Sequence, residues 1–234
     1  EVVELGADVQ GFAVGDIGVA PFTTNCGHCF FCLSGLTARC ETGQLFGWVE
    51  DGAGLHGAQA EFVRVPMADS TLVAVPDGLD EAVALLAGDI LSTAAFGAEL
   101  AGVQPGDLVV VVGCGPLGLL CVRAALEKGA CGVVAVDSVL SRLLLAGRFG
   151  ATPVNFKTEE PFEVVMARSE GRGADCAIEA VGSPEATRTA AKLLRSGGSL
   201  AALGVHIEAH LALSPGEIYD RNLRYAGGRC SARH

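Results

Sequence analysis

In the second part of this chain the apolar positions alternate between two patterns. Short unbroken runs rich in valine give way to longer stretches in which apolar residues recur every three or four positions. The unbroken runs at residues 108–112, 132–136, 153–155, 175–178, 199–203 and 223–226 predict β-strands, the valine-rich ones buried on both faces. The periodic stretches at 116–127, 141–149, 162–169 and 184–194 predict helices, each closing near a glycine or a basic residue. Strands separated mostly by helices predict an α/β domain with a six-stranded, doubly wound parallel sheet. An Ala- and Leu-rich stretch of helical period, residues 80–100, leads into it.

The first part reads differently. Short Val-rich runs at 1–5, 17–20, 60–65 and 72–75 are punctuated by Gly, Asp and Pro, which predicts a small, irregular β domain. The change of character places the domain boundary near residue 88, giving domains of 1–88 and 89–234.

Composition narrows the possible partners. The 234 residues are half apolar and only 18% charged, enough to bury a substantial core. A net charge of -11 repels nucleic-acid phosphates and anionic membrane surfaces, so neither partner is expected. The longest apolar run, residues 108–122, holds three glycines and a proline and falls short of the roughly 20 residues that span a bilayer. The chain opens Glu1-Val2-Val3 with neither a basic stretch nor an initial Met, so a soluble cytoplasmic protein with further residues upstream is expected.

The run from Leu108 to Gly118 places Gly113-x-Gly115-Pro116-Leu117-Gly118 between an apolar strand and a helix. In a dinucleotide-binding turn the first glycine permits the tight turn and the second lets backbone approach a pyrophosphate. The third lets helix pack closely on strand, and the phosphates sit at the helix N-terminus. Asp137 ends the next predicted strand, 19 residues after Gly118, where a carboxylate can accept bonds from both adenosine-ribose hydroxyls. That charge repels a 2′-phosphate and favours NAD over NADP, although Arg142 is near enough along the chain to receive a phosphate if it swings inward.

Of nine cysteines, four form Cys26-x2-Cys29-x2-Cys32-x7-Cys40. Four thiolates at this spacing can close a tetrahedral shell around zinc, and a shell without an open position is structural rather than catalytic. An iron–sulfur cluster or disulfides are the alternatives, the first lacking its Cys-Pro signature. Cys114, Cys121, Cys131, Cys176 and Cys230 read as small buried hydrophobes. His28, His206 and His210 read as ordinary surface histidines.

A four-Cys lobe followed by this fingerprint resembles the zinc-dependent medium-chain alcohol dehydrogenases over essentially the whole chain. The stretches 25–40, 57–66 and 228–233 look most like the branch containing glutathione-independent formaldehyde dehydrogenases. The resemblance implies a GroES-like catalytic domain before the Rossmann domain, a homo-oligomer, and hydride transfer between an alcohol or aldehyde and NAD. It also implies a second, catalytic zinc that stabilises the substrate alkoxide. Gly88-Asp89-Ile-Leu-Ser-Thr93 matches the branch's Asp-x-x-x-Thr pattern. This makes Asp89 the candidate third ligand and puts Thr93 near substrate or cofactor; a helix cap is the plain alternative for Asp89. Val181, Gly182, Gly204 and Val205 are expected under the nicotinamide. The family's other two catalytic ligands have no counterpart before Cys26, and its C-terminal return segment has none after His234. A fragment is therefore expected, active only in the full protein. The rival reading is an inactive NAD- and zinc-binding regulatory module.

Overall fold

The computed structural model describes residues 1–231, so Ala232 and Arg233 of the resembling stretch lie outside the described residues. The chain divides into one unit of residues 1–92 with 229–234 and another of residues 93–228.

The first unit holds four short strands, β1 (Gly18–Val19), β2 (Trp48–Glu50), β3 (Ala53–Leu55) and β4 (Val73–Ala74). Between and after them come α1 (Phe30–Leu33), α2 (Ala68–Thr71) and α3 (Glu81–Ala87). Strand β1 pairs antiparallel with β4, and β2 with β3. The runs at 17–20 and 72–75 thus shrink to two paired residues each. Those at 1–5 and 60–65 are not strands. Val2 only exchanges single bonds with Asp16 and Gly15. The alternation at 60–65 has no ladder partner among the described residues, and Phe62 is largely exposed. Alternation makes a strand only where another backbone satisfies its N–H and C=O groups. The expected helical stretch 80–100 is likewise divided, α3 stopping before Gly88-Asp89 and α4 (Ile90–Leu100) following. Asp80 caps α3, its carboxylate accepting from the N–H groups of Ala82 and Val83. The stretch 81–100 is apolar and long enough in composition to cross a membrane, with mean hydropathy 1.5, a test that core helices of soluble proteins also pass.

The second unit alternates strand and helix: β5 (Leu108–Val112), α5 (Pro116–Glu127), β6 (Gly132–Asp137), α6 (Leu140–Arg148), β7 (Thr152–Asn155), α7 (Pro161–Arg168) and β8 (Ala174–Glu179). Helix α8 (Pro184–Leu193), β9 (Leu194–Ala202), α9 (Pro215–Asp220) and β10 (Arg224–Gly227) complete it. All six strands are parallel, in the order β10-β9-β8-β5-β6-β7. This is the doubly wound arrangement expected, with strand order reversing between β5 and β8. Side chains alternate across the pleat: Val109 and Val111 enter one buried cluster with α4 and α5, while Leu108, Val110 and Val112 enter another with α8. Pro153 is tolerated because β7 is an edge strand.

Strand β9 begins five residues earlier than its apolar run, at Leu194, which pairs with Ala174 before a register shift leads to Ser199 opposite Cys176. The Gly197-Gly198 pair in that irregular stretch reads as a turn in sequence, and Gly197 has φ +76. Helix α9 has no apolar periodicity to announce it; Ser214 and Glu217 form a capping box at its start.

Candidate dinucleotide and metal sites

The Gly113–Gly118 turn joins β5 to α5, and its three glycines meet different surroundings. Gly113 has φ +93, and a Cβ there would lie 2.5 Å from the Val181 side chain. A Cβ on Gly118 would overlap the Gly113 carbonyl, so α5 can pack this closely on the strand only with glycine there. A Cβ on Gly115 would meet nothing within 4 Å. Gly115 is also the N-cap of α5 and offers no side-chain acceptor to the helix's first N–H groups, while Pro116 begins the helix. An open, uncapped helix N-terminus under a bare backbone is a cradle that fits a pyrophosphate.

Asp137 ends β6 and is 8% exposed. Its Oδ2 accepts from the Cys114 N–H at 2.7 Å, and its Oδ1 from the N–H groups of Ser138 at 2.6 Å and Val139 at 2.9 Å. Burial works to raise its pKa, but these three bonds and the Arg142 charge outweigh it and hold the carboxyl below its ordinary range. Arg142 in the first turn of α6 stands 3.8 Å from Oδ2. One carboxylate thus already organises the glycine turn and the start of α6, with one lone pair, on Oδ2, left for a further donor.

Val181 and Gly182 follow β8, and Gly204 and Val205 follow β9. A Cβ on Gly182 would come 2.6 Å from the Val205 carbonyl oxygen, and one on Gly204 would overlap the Gly182 backbone. The two loops therefore touch backbone to backbone. Val181 is half exposed and Val205 largely exposed. Sequence reasoning missed two groups here. Glu179, the last residue of β8, is fully buried. His206 is exposed, as expected from the sequence, yet it also bonds Glu179 Oε2 at 2.9 Å and Glu208 Oε2 at 3.1 Å, contacts that the sequence reading does not foresee. The available signal was a single carboxylate in the apolar run Cys176-Ala-Ile-Glu179-Ala-Val.

In the first unit Cys26, Cys29, Cys32 and Cys40 converge, with all four sulfurs within 4.8 Å of one another. Helix α1 begins just after Cys29 and carries Cys32, and a 3₁₀ turn at Thr37–Arg39 delivers Cys40. Sulfur separations of 3.9 Å for Cys26–Cys32 and 4.0 Å for Cys29–Cys40 rule out disulfides between these pairs. They match a tetrahedral shell with bonds of about 2.3 Å, whose edges are about 3.8 Å. The Cys26 N–H points at the Cys40 sulfur and the Cys29 N–H at that of Cys26, stabilising negative sulfur. The His28 N–H chiefly lowers the Cys26 thiol and the Glu41 N–H chiefly lowers Cys29, while burial pushes Cys32 up to about 12. Such crowded thiolates call for a cation among them. His28 turns away, its Nδ1 2.9 Å from the Cys26 carbonyl oxygen.

Of the remaining cysteines, Cys114, Cys121, Cys176 and Cys230 are buried as expected, whereas Cys131 is exposed in the turn before β6. Burial pushes Cys114, Cys121 and Cys176 up to about 12, which leaves them unreactive. Asp89 is exposed and immediately precedes α4, and Thr93 is half-buried in the first turn of that helix. Among the described residues no second group of potential metal ligands assembles around Asp89.

A doubly wound parallel sheet with an anion-fitting cradle at its reversal point and a four-cysteine lobe define a nucleotide-binding fold joined to a soft-metal site. Residues 116–234 match the zinc-binding dehydrogenase family, and residues 1–77 match the alcohol dehydrogenase GroES-like domain. The chain belongs to the zinc-dependent medium-chain alcohol dehydrogenase family. It is 42% identical to zinc-type alcohol dehydrogenase B of Aspergillus flavus, aligning over 100% of this chain and 55% of that protein. It is 45% identical to a medium chain reductase/dehydrogenase of Acremonium sp., over 89% of this chain and 73% of that protein. The glutathione-independent formaldehyde dehydrogenase of Pseudomonas aeruginosa is 37% identical over 78% of this chain and 48% of its own length. Alcohol dehydrogenase TADH from Thermus sp. ATN1 superposes with a TM-score of 0.91 at 33% identity, covering 98% of this chain and 66% of that one. A zinc-binding dehydrogenase of Sinorhizobium meliloti 1021 bound to NADP superposes at 0.81 and 28% identity, over 99% of this chain and 66% of that one. The chain thus spans from about half to about three-quarters of the length of these relatives.

Proposed function

We propose that this chain supplies the nucleotide-binding and structural-zinc parts of an oxidoreductase that transfers hydride between an alcohol or aldehyde and NAD. The observation that carries the reading is the open N-terminus of α5 beneath Gly115, one strand away from the buried Asp137 carboxylate. In this reading the α5 N–H groups hold the pyrophosphate with Pro116 and Leu117 shaping the turn. Asp137 accepts from the adenosine ribose through the free lone pair of Oδ2, and Val181, Gly182, Gly204 and Val205 support the nicotinamide. The bound nicotinamide supplies the redox chemistry; the protein binds it, orients it and excludes water.

NAD is favoured over NADP because a 2′-phosphate would face the Asp137 charge, with a single arginine, Arg142, to offset it. Cys26, Cys29, Cys32 and Cys40 hold a structural zinc that ties together a lobe with little apolar core. Asp89 is assigned as a ligand of the catalytic zinc in the whole protein, and Thr93 as a neighbour of substrate or cofactor; the Asp-x-x-x-Thr spacing supports both. Nine free thiols fit a reducing compartment such as the cytoplasm, and family membership supports a homo-oligomer. The test is elemental zinc analysis paired with an NADH titration of this chain. About one zinc per chain with saturable NADH binding is expected. A zinc-free chain, or one that fails to bind NADH, would overturn the corresponding assignment.

A further inference from the structure

Glu179 is a carboxylate with no solvent exposure, at the end of a central strand and beside the strand that leads into the glycine turn. Its two oxygens do different work. Oε1 accepts from the N–H groups of Val181 at 2.8 Å and Gly182 at 2.7 Å, fixing the loop after β8. Oε2 meets Nε2 of His206, which belongs to the loop after β9. The other ring nitrogen, Nδ1, meets Glu208 Oε2. Carboxylates only accept hydrogen bonds, and a neutral imidazole carries one N–H, so bridging both requires the doubly protonated ring.

Contacts continue from this pair to the turn. The Val181 side chain lies directly over Gly113, where any Cβ would collide with it. A dinucleotide crosses the reversal point between β5 and β8. Since Asp137 on β6 marks the adenosine side, the loops after β8 and β9 lie on the other side of that point, toward the opposite half of the ligand.

We infer that Glu179 and His206 form a positioning clamp. It joins the loops after β8 and β9, and so sets the pyridine half of the dinucleotide site rather than its adenosine half. This rests on the dinucleotide reading above. The titratable groups that act on the ring are Glu179 on β8 and Glu208 on the same loop as His206; Tyr225 on β10 feels the charges of both carboxylates. Burial of His206 opposes its charge, but the two carboxylates outweigh that and raise its pKa above the ordinary histidine value. The clamp is therefore complete at low pH and loses one of its two bonds as pH rises through the raised value.

The experiment compares binding of NADH with that of ADP-ribose, which has the adenosine and pyrophosphate but no pyridine ring. It uses the wild-type chain, His206→Ala and His206→Gln, from about pH 6 to about pH 9, a range spanning the ordinary histidine value. Wild type is expected to show an NADH to ADP-ribose affinity ratio that falls with rising pH. His206→Ala should lose roughly tenfold in NADH affinity, the scale of one charge-assisted bond, and hold ADP-ribose. His206→Gln, whose single amide nitrogen can donate but carries no titrating proton, should lie between them and be flat in pH. Equal loss of both ligands in His206→Ala, or unchanged NADH affinity, would overturn the clamp alone. A wild-type chain that fails to bind ADP-ribose would overturn the dinucleotide reading and the clamp with it.

Discussion

Asp137 illustrates how a side chain proposed to bind a ligand can also be needed by the fold. Asp137→Gly would leave the buried Cys114 N–H unpaired, at a cost of about 1–3 kcal/mol, and would hand the part-buried Ser138 and Val139 N–H groups to water. Absolute affinity is therefore an ambiguous measure of its ribose role, and the ratio of NADH to NADPH affinity is the informative one. That ratio is expected to fall in Asp137→Gly, since the charge that repels a 2′-phosphate is gone while Arg142 remains. An unchanged ratio would remove the ribose assignment. The carboxyl also makes a pH prediction. Its folded pKa is depressed, so its stabilising contribution is present above the unfolded value of about 3.9 and is lost as pH falls through the lower folded one. Wild type should lose stability on acidification more steeply than Asp137→Gly, which can be followed by urea unfolding across that range.

At the scale of the element, the β5-turn-α5 unit separates glycines that serve packing from one, Gly115, whose Cβ position is open and whose proposed role is in ligand binding. Gly118→Ala sets a methyl against the Gly113 carbonyl and should cost about 1–3 kcal/mol, the usual penalty of overpacking, visible as a lower thermal midpoint. Gly115→Ala places its methyl in open space at φ −66, an ordinary value for alanine. Its stability should stay within about 0.5 kcal/mol of wild type while NADH binding weakens, because the methyl fills the phosphate cradle. Loss of stability without loss of binding would show that Gly115 is a packing glycine.

The same unit shows why so much of this half was legible in sequence. A buried parallel strand must be apolar on both faces, and β5 is Leu-Val-Val-Val-Val, so burial and sequence carry the same information. In the first unit the strands are two or three residues long, and their order depends on loop hydrogen bonds that leave no periodic trace. One example is Asp69, whose carboxylate accepts from the N–H groups of Gln10 and Gly11, far away in sequence. The Glu179–His206 pair was hidden for a related reason. Nothing in residue type distinguishes a carboxylate at a solvated strand end from one sealed beneath two loops.

For the whole molecule the two units differ in what holds them together. Both buried apolar clusters are built from residues between Ala94 and Tyr225, on the two faces of the six-stranded sheet. Within residues 1–92 the buried apolar side chains are only Pro21, Cys32, Leu55 and Ala84, and Phe30 and Leu33 of the cysteine lobe are largely exposed. Hydrophobic burial at about 25 cal/mol per Å² offers that lobe little, so metal coordination must supply much of its folding free energy. Treatment with a strong chelator should therefore unfold the first unit selectively. Hydrogen exchange should accelerate around residues 26–40 while amides of β5 and β8 stay protected, and ADP-ribose binding should survive. Cys29→Ser should reproduce the effect without chelator, with zinc content falling well below one per chain. Uniform loss of protection across both units would mean that the metal supports the sheet as well as the lobe. Unchanged protection with zinc removed would mean that the lobe's backbone hydrogen bonds suffice, and the structural-metal assignment would fail.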